Sequence, residues 1–206
     1  MKITEMIFPT FPKSPSHMRR GLGGGVTIYI LFIFLSNIYS QSPQIINDPK
    51  KDNPMLIGLS QRSDYEQRIE FKEWFKEEYE TYVIDEETVE LLSTVEDEII
   101  IECYMGTWCG DSRREVPRMY KIMDQIKFND KNLKIVSVDR DRVSPGGEQK
   151  GKNIHHVPTI IFYNKGKEIG RIIESPVGSL EEDFTDIFMG IPYTPNYVDW
   201  KPEEDK

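Results

Sequence analysis

Between Asp64 and Val83, the apolar residues Ile69, Trp74, Phe75 and Tyr79 recur near helical spacing among many charges. That spacing predicts an amphipathic helix, which must lay its apolar stripe on something. Glu86 to Ser93 predicts a second, shorter helix with Val89, Leu91 and Leu92 as its apolar positions. The pattern then changes. Glu98 to Tyr104 is an apolar run of strand length, whereas Cys109 to Lys127 carries Val116, Met119, Tyr120, Met123 and Ile126 at helical intervals. Leu133 to Val138, Thr159 to Tyr163 and Glu168 to Ile173 read as further strands, the last two joined by the tight hairpin turn Asn164-Lys165-Gly166. Ser179-Leu180-Glu181-Glu182 is a capping box that opens a final helix to Met189. This succession predicts an α/β fold: a mixed central sheet flanked by helices, with an N-terminal helical extension. Gln41 to Asn53 is polar and broken by prolines, so a flexible lead-in is expected there. From Ile191 onward, proline and charge predict an irregular strap or a disordered tail.

The first 40 residues differ from the rest. Met18-Arg19-Arg20 is basic, Gly21 to Gly25 is a spacer, Val26 to Ser36 is almost unbroken apolar sequence, and Ser40 stands at a possible cut before Gln41. That order predicts a secretory signal peptide, because a membrane span needs roughly 20 apolar residues. An uncleaved anchor is the alternative, and would be the chain's only membrane contact. Translation starting at Met18 would give the leader an ordinary basic head. The expected organisation is therefore leader 1–40, linker and helical extension 41–84, an α/β domain 85–190 and a tail 191–206, with the product exported to the periplasm or cell envelope.

Removing residues 1–40 takes four of the 26 basic and one of the 35 acidic side chains, moving the formal charge from −9 to −12. So acidic a surface repels phosphate backbones and argues against nucleic acid as a partner. No cluster has metal-ligand spacing and no glycine-rich loop opens a helix after a strand, so no metal or cofactor is expected. Two cysteines, Cys103 and Cys109, are too few to staple an exported domain. They have to be read for chemistry.

Cys109 stands where a strand passes into a helix. There its sulfur meets unsatisfied backbone N–H groups and the positive end of the helix dipole, which favour the thiolate. Arg113 and Arg114 add positive charge, and Asp111 opposes it. Three features occur in order: Trp108-Cys109-Gly110-Asp111-Ser112, then Pro117 eight residues after Cys109, then Val157-Pro158-Thr159 before the hairpin. Together they resemble the thioredoxin superfamily over about Asp85 to Met189. The longer run from Gly106 to Pro117, with Asp139-Arg140-Asp141, is similar to a bacterial branch of it.

The resemblance implies a thioredoxin-like fold, Cys109 as nucleophile, a cis peptide bond before Pro158, and substrate contact by Trp108, Gly110, Val157 and Pro158. It also exposes a departure. The second cysteine of dithiol members is replaced by Ser112, whose hydroxyl can bond the Cys109 thiolate but cannot take part in disulfide formation. Any mixed disulfide must then be released by an outside thiol, by the substrate's second thiol, or by Cys103. Cys103 is expected as a core residue, with a resolving thiol as the alternative. Glu102, one residue away and on the opposite face, is expected to be held by a basic side chain. His155 and His156 precede the proline turn. They are read either as solvated loop residues or as a charge or proton carrier in which His156 assists Cys109.

Two functions follow as expectations. The first is monothiol thiol–disulfide exchange with disulfide- or thiol-bearing proteins or low-molecular-weight thiols. The second is a binding module of the same fold that has lost redox turnover.

Overall fold

The computed structural model describes residues 42–93 and 99–201. The expected leader, residues 1–40, and the first residue of the run from Glu98 lie outside the described residues. A six-stranded sheet carries the chain in the order β1-β2-β4-β3-β5-β6. These strands are β1 (Gln44–Asn47), β2 (Pro54–Ser60), β3 (Ile99–Met105), β4 (Leu133–Ser137), β5 (Thr159–Asn164) and β6 (Lys167–Ile173). Strands β3 and β4 pair parallel and the remaining neighbours antiparallel, so the sheet is mixed as expected. Five α-helices accompany it among the described residues: α1 (Arg62–Glu66), α2 (Lys72–Thr81), α3 (Glu86–Leu92), α4 (Gly110–Gln125) and α5 (Leu180–Met189).

Two expectations are corrected near the start. The lead-in contains β1, and with β2 it forms a hairpin that extends the sheet beyond β4. Its prolines do not prevent this, because Pro43 lies outside the strands and Pro54 occupies the first position of β2, where sheets tolerate proline. Met55, Leu56 and Ile57 supply the driving force by burial. The helix expected from Asp64 is in fact two. Gln61 and Asp64 form a reciprocal cap on α1, the chain turns through 67–71, and α2 begins afresh at Lys72. Ile69 falls in that turn and is exposed. The apolar face is built instead by Tyr65, Phe71 and Phe75, each fully buried, with Phe75 stacked on Tyr65 and tilted against Tyr120 of α4. Burying a side chain of that size contributes about 1.5–3 kcal/mol.

The later elements follow the hydrophobic pattern closely. Asp85 caps α3 by accepting from the N–H groups of Glu87 and Thr88. Ser179 and Glu182 cap α5, which ends at Gly190 in the left-handed conformation at φ 68°. Lys165 and Gly166 both take positive φ, the requirement of the two-residue turn between β5 and β6.

Alternation along β3 sorts the interior. Ile101, Cys103 and Met105 enter the larger core cluster, which takes residues from all five helices. Tyr104 enters a smaller cluster on the other face with Val136, Val138, Val157 and Ile161. Trp108 and Cys109 pack at its edge. Residues 191–201 form an irregular strap, tied by Tyr193 to Asp183 and by Asn196 to the Ser175 carbonyl.

Candidate functional site

The site is assembled at the C-terminal end of β3. The chain leaves the sheet at Met105 and turns through Gly106, Thr107 and Trp108. It then enters α4 with Cys109 as the N-cap residue, its backbone extended at φ −91°, ψ 130°. The turn is closed by the Cys109 N–H, which donates to the Gly106 carbonyl at 2.9 Å. Pro117 lies inside α4 and is buried. With no N–H of its own, it cannot bond the carbonyl one turn back.

Cys109 is half-exposed and not disulfide-bonded. Its thiol donates to the Val157 carbonyl at 3.1 Å, and Asp111 Oδ2 lies farther off at 3.9 Å. The Val157–Pro158 peptide bond is cis. The Pro158 carbonyl accepts from the Glu174 N–H at 2.7 Å, which fixes the loop against the end of β6. The sulfur and the proline loop therefore face one another, and proton loss has a local consequence. An ionised sulfur cannot donate, so the Val157 carbonyl is released to accept from another chain.

Ser112 is fully buried, and its hydroxyl oxygen accepts from the Gly106 N–H at 3.1 Å. The expected partner was the Cys109 sulfur. The structure instead uses Ser112 to hold the backbone of the turn that carries Cys109, because that N–H is buried and needs an acceptor. Arg113 folds back over the same turn and donates from Nε to the Thr107 carbonyl at 2.5 Å. Its guanidinium lies 5.8 Å from the Trp74 ring centroid. Burial pushes the Arg113 pKa down, while the charges of Cys109 and Asp48 work the other way. Arg114 is paired with Asp111 at 2.8 Å and with Glu115 at 2.6 Å, so the negative charge nearest Cys109 has its own cation. Gly110 opens α4 and is exposed, with no atom beyond its chain neighbours and its own helix backbone within 4 Å of where a Cβ would stand.

Trp108 is half-buried. Its indole Nε1–H donates to the Val138 carbonyl at 2.9 Å, and the Arg140 guanidinium carbon lies 4.8 Å from its ring centroid. Arg140 makes a two-pronged pair with Asp48 at 2.6 Å for each bond. Asp48 is almost fully buried in the turn after β1, and the Arg140 hydrogen bonds hold its carboxyl down at about 2 despite that burial. Thr107 is anchored from the same hairpin: its hydroxyl accepts from the Leu56 N–H at 3.0 Å. No motif reveals Asp48, whose partner is 92 residues away. Arg140 belongs to the Asp139-Arg140-Asp141 run already noted, but its role needed the fold.

Cys103 is fully buried in the larger cluster, and burial alone pushes its thiol up to about 12. Glu102, on the opposite face, bonds Lys152 at 2.7 Å and Tyr104. Burial would raise its pKa, yet these bonds and the charge of Lys134 bring it below the ordinary carboxylate value.

The two histidines bond one another, Nδ1 to Nδ1 at 2.6 Å. His155 stacks on Trp200 and His156 on Tyr197, with centroids 4.5 and 4.1 Å apart. His155 is nearly buried rather than solvated, and burial, with His156 next, lowers its pKa. The rings thus tie the C-terminal strap to the proline loop. The Tyr197 hydroxyl also bonds Glu174. Among the described residues, no group of three or more His, Cys, Asp or Glu is placed to hold a metal, and no helix is long and apolar enough to cross a membrane.

A family model for thioredoxin matches residues 76–185, more than half of the chain. The chain belongs to the thioredoxin family. It is similar to thioredoxin-2 of Saccharomyces cerevisiae, 24% identical over 86 residues that cover 42% of this chain and 77% of the relative. Thioredoxin H2 of Arabidopsis thaliana is 29% identical over 86 residues, 42% of this chain and 60% of the relative. Among solved structures, mitochondrial thioredoxin 3 from Saccharomyces cerevisiae in its oxidized form is 22% identical, with a TM-score of 0.33 over 53% of this chain and 98% of that one. The family segment holds Trp108, Cys109, Ser112, Val157 and Pro158. The thioredoxin match leaves out the β1–β2 hairpin, α1 and the strap carrying Tyr197 and Trp200, although Asp48, Leu56 and the strap's two aromatics bear on the loops around Cys109.

Proposed function

We propose that this thioredoxin-family chain is an exported monothiol exchange protein of a bacterial cell envelope, acting on disulfide- or thiol-bearing proteins or on low-molecular-weight thiols. One observation carries the reading. Cys109 stands half-exposed at the start of α4, its sulfur against the carbonyl that precedes Pro158, while Ser112 fills the place where a second thiol would be needed. In the first step the Cys109 thiolate attacks one sulfur of a partner disulfide. A new sulfur–sulfur bond forms, the old one breaks, and the departing thiolate takes a proton from water. Arg113, folded over the same turn, lies within electrostatic reach of the sulfur. Trp108 and the freed Val157 carbonyl offer an aromatic surface and a strand edge to an extended partner. Release requires a second thiolate, from a small external thiol or from the partner, which displaces Cys109 as a thiolate. The protein therefore captures and reshuffles disulfides and makes none of its own.

The test uses the mature protein and a disulfide-linked dimer of a single-cysteine peptide, so that the captured half carries no second thiol. Mass spectrometry should find a covalent adduct on Cys109 that persists until thiol is added, and Cys109→Ala should form none. Protein recovered from envelope fractions should begin at or near Gln41. Absence of adduct and of turnover in the wild type would sink the exchange reading in favour of a binding module. A cytoplasmic product beginning at Met1 or Met18 would sink the export reading.

A further inference from the structure

We propose that Asp48 is a positioning residue for the nucleophile's loop, acting through Arg140 on Trp108, so that the β1–β2 hairpin outside the thioredoxin match sets the reactivity of Cys109. The inference rests on the reading of Cys109 as nucleophile. Three placements support it. Both Asp48 carboxylate oxygens grip Arg140, through Nε and Nη2 at 2.6 Å each, and Oδ1 also accepts from the Lys50 N–H at 2.9 Å. The guanidinium so held lies over Trp108, the residue before Cys109, at 4.8 Å from the ring centroid. The indole edge is fixed independently by the Val138 carbonyl, two residues before Arg140. Trp108 is thus held by edge and face from one short segment, and Asp48 holds that segment's cation.

The chemistry of the pair explains why these residue types are used. A guanidinium is flat; gripped along its edge by a carboxylate, it leaves its face free for an aromatic ring. An ammonium can pair with a carboxylate and sit over a ring, as Lys152 does with Glu102 and Tyr163, but it lacks the two-pronged edge that fixes the orientation of a flat cation. A buried ion pair adds little net stability over apolar residues of the same volume, and its best-supported use is to fix one geometry. Here that geometry is the wall beside the sulfur. Paired with Asp48, Arg140 brings little net charge to the turn, so the clamp acts on Cys109 through placement. Leu56, in the same hairpin, secures Thr107 by its N–H. Residues 107 and 108 both take their positions from contacts that trace back to the hairpin.

A double-mutant cycle on the full chain tests this, reading two rates on folded protein: capture of a disulfide peptide and alkylation of Cys109 by iodoacetamide. Asp48→Asn and Arg140→Met should each slow both reactions about threefold or more, and Asp48→Asn should add nothing in the Arg140→Met background. Arg140→Lys, which keeps the charge but loses the two-pronged grip, should fall between Arg140→Met and wild type, and Asp48→Glu should recover part of the Asp48→Asn loss. Thermal melts of each variant separate this from simple loss of fold. Lower melting points with unchanged rates per folded chain would overturn the proposal and leave the clamp purely structural. So would additive effects, which would mean that Asp48 does not act through Arg140. If wild type captures no disulfide, the proposed function fails, and the clamp is then judged on alkylation alone.

Discussion

Removing the Cys103 thiol should leave the chemistry of Cys109 untouched. Cys103 is fully buried in the core cluster beneath β3, and burial pushes its thiol up to about 12. At pH 7 that lies five units above ambient, so only on the order of one thiol in 10⁵ is ionised, against about 3% for an ordinary cysteine of pKa 8.5. Since the thiolate is the attacking species, burial disfavours Cys103 as a nucleophile before access is considered. The assay has two arms. Native protein treated with iodoacetamide should gain one adduct, on Cys109, and a second only after denaturation. The mixed disulfide of Cys103→Ala should decay at the wild-type rate, while the variant loses about 1 kcal/mol of stability for the vacated sulfur volume. Comparable alkylation of both cysteines in the folded protein, or a longer-lived adduct in Cys103→Ala, would refute the reasoning and restore Cys103 as a resolving thiol.

Ser112→Cys should supply the missing second thiol and release the captured peptide without added reductant, as followed by adduct lifetime. Ser112→Ala should instead strand the buried Gly106 N–H and lower stability by about 1–3 kcal/mol in denaturant melts. For His155, the folded pKa is lowered by burial, then by His156, so the unfolded chain binds more protons. Its contribution to stability is fully present above about pH 6.5 and is lost as pH falls through the folded value. Melts between pH 7.5 and 5 should show that loss, and His155→Phe, which keeps a ring against Trp200, should flatten it.

From β3 to α5 the fold was legible because each element carries its own signal: the apolar run at Ile99, the heptad-like spacing of α4, the hairpin turn at Lys165-Gly166 and the cap at Ser179. The hairpin β1–β2 was hidden because its prolines read as breakers while its pairing partner, β4, lies some 80 residues away in the chain. Cys109, Trp108 and the Val157–Pro158 turn are marked by local motifs. Asp48, Tyr197 and Trp200 are not, since each acts through a contact that exists only after folding. Ser112 shows the intermediate case. Its type and place were readable, but its bond to the turn rather than to the sulfur depends on which buried N–H lacks an acceptor.

The hairpin also decides where this protein can be cut. β2 pairs along β4 from Ser60 to Gly58, so a fragment trimmed to the family segment would expose one side of β4 as an open row of backbone donors and acceptors. Such an edge recruits other strands and invites aggregation. The same cut would strip Thr107 of the Leu56 N–H and Arg140 of its carboxylate. A graft, fusion or truncation that keeps its solubility and its cysteine environment intact therefore has its upstream boundary before Gln44, well ahead of where family resemblance begins.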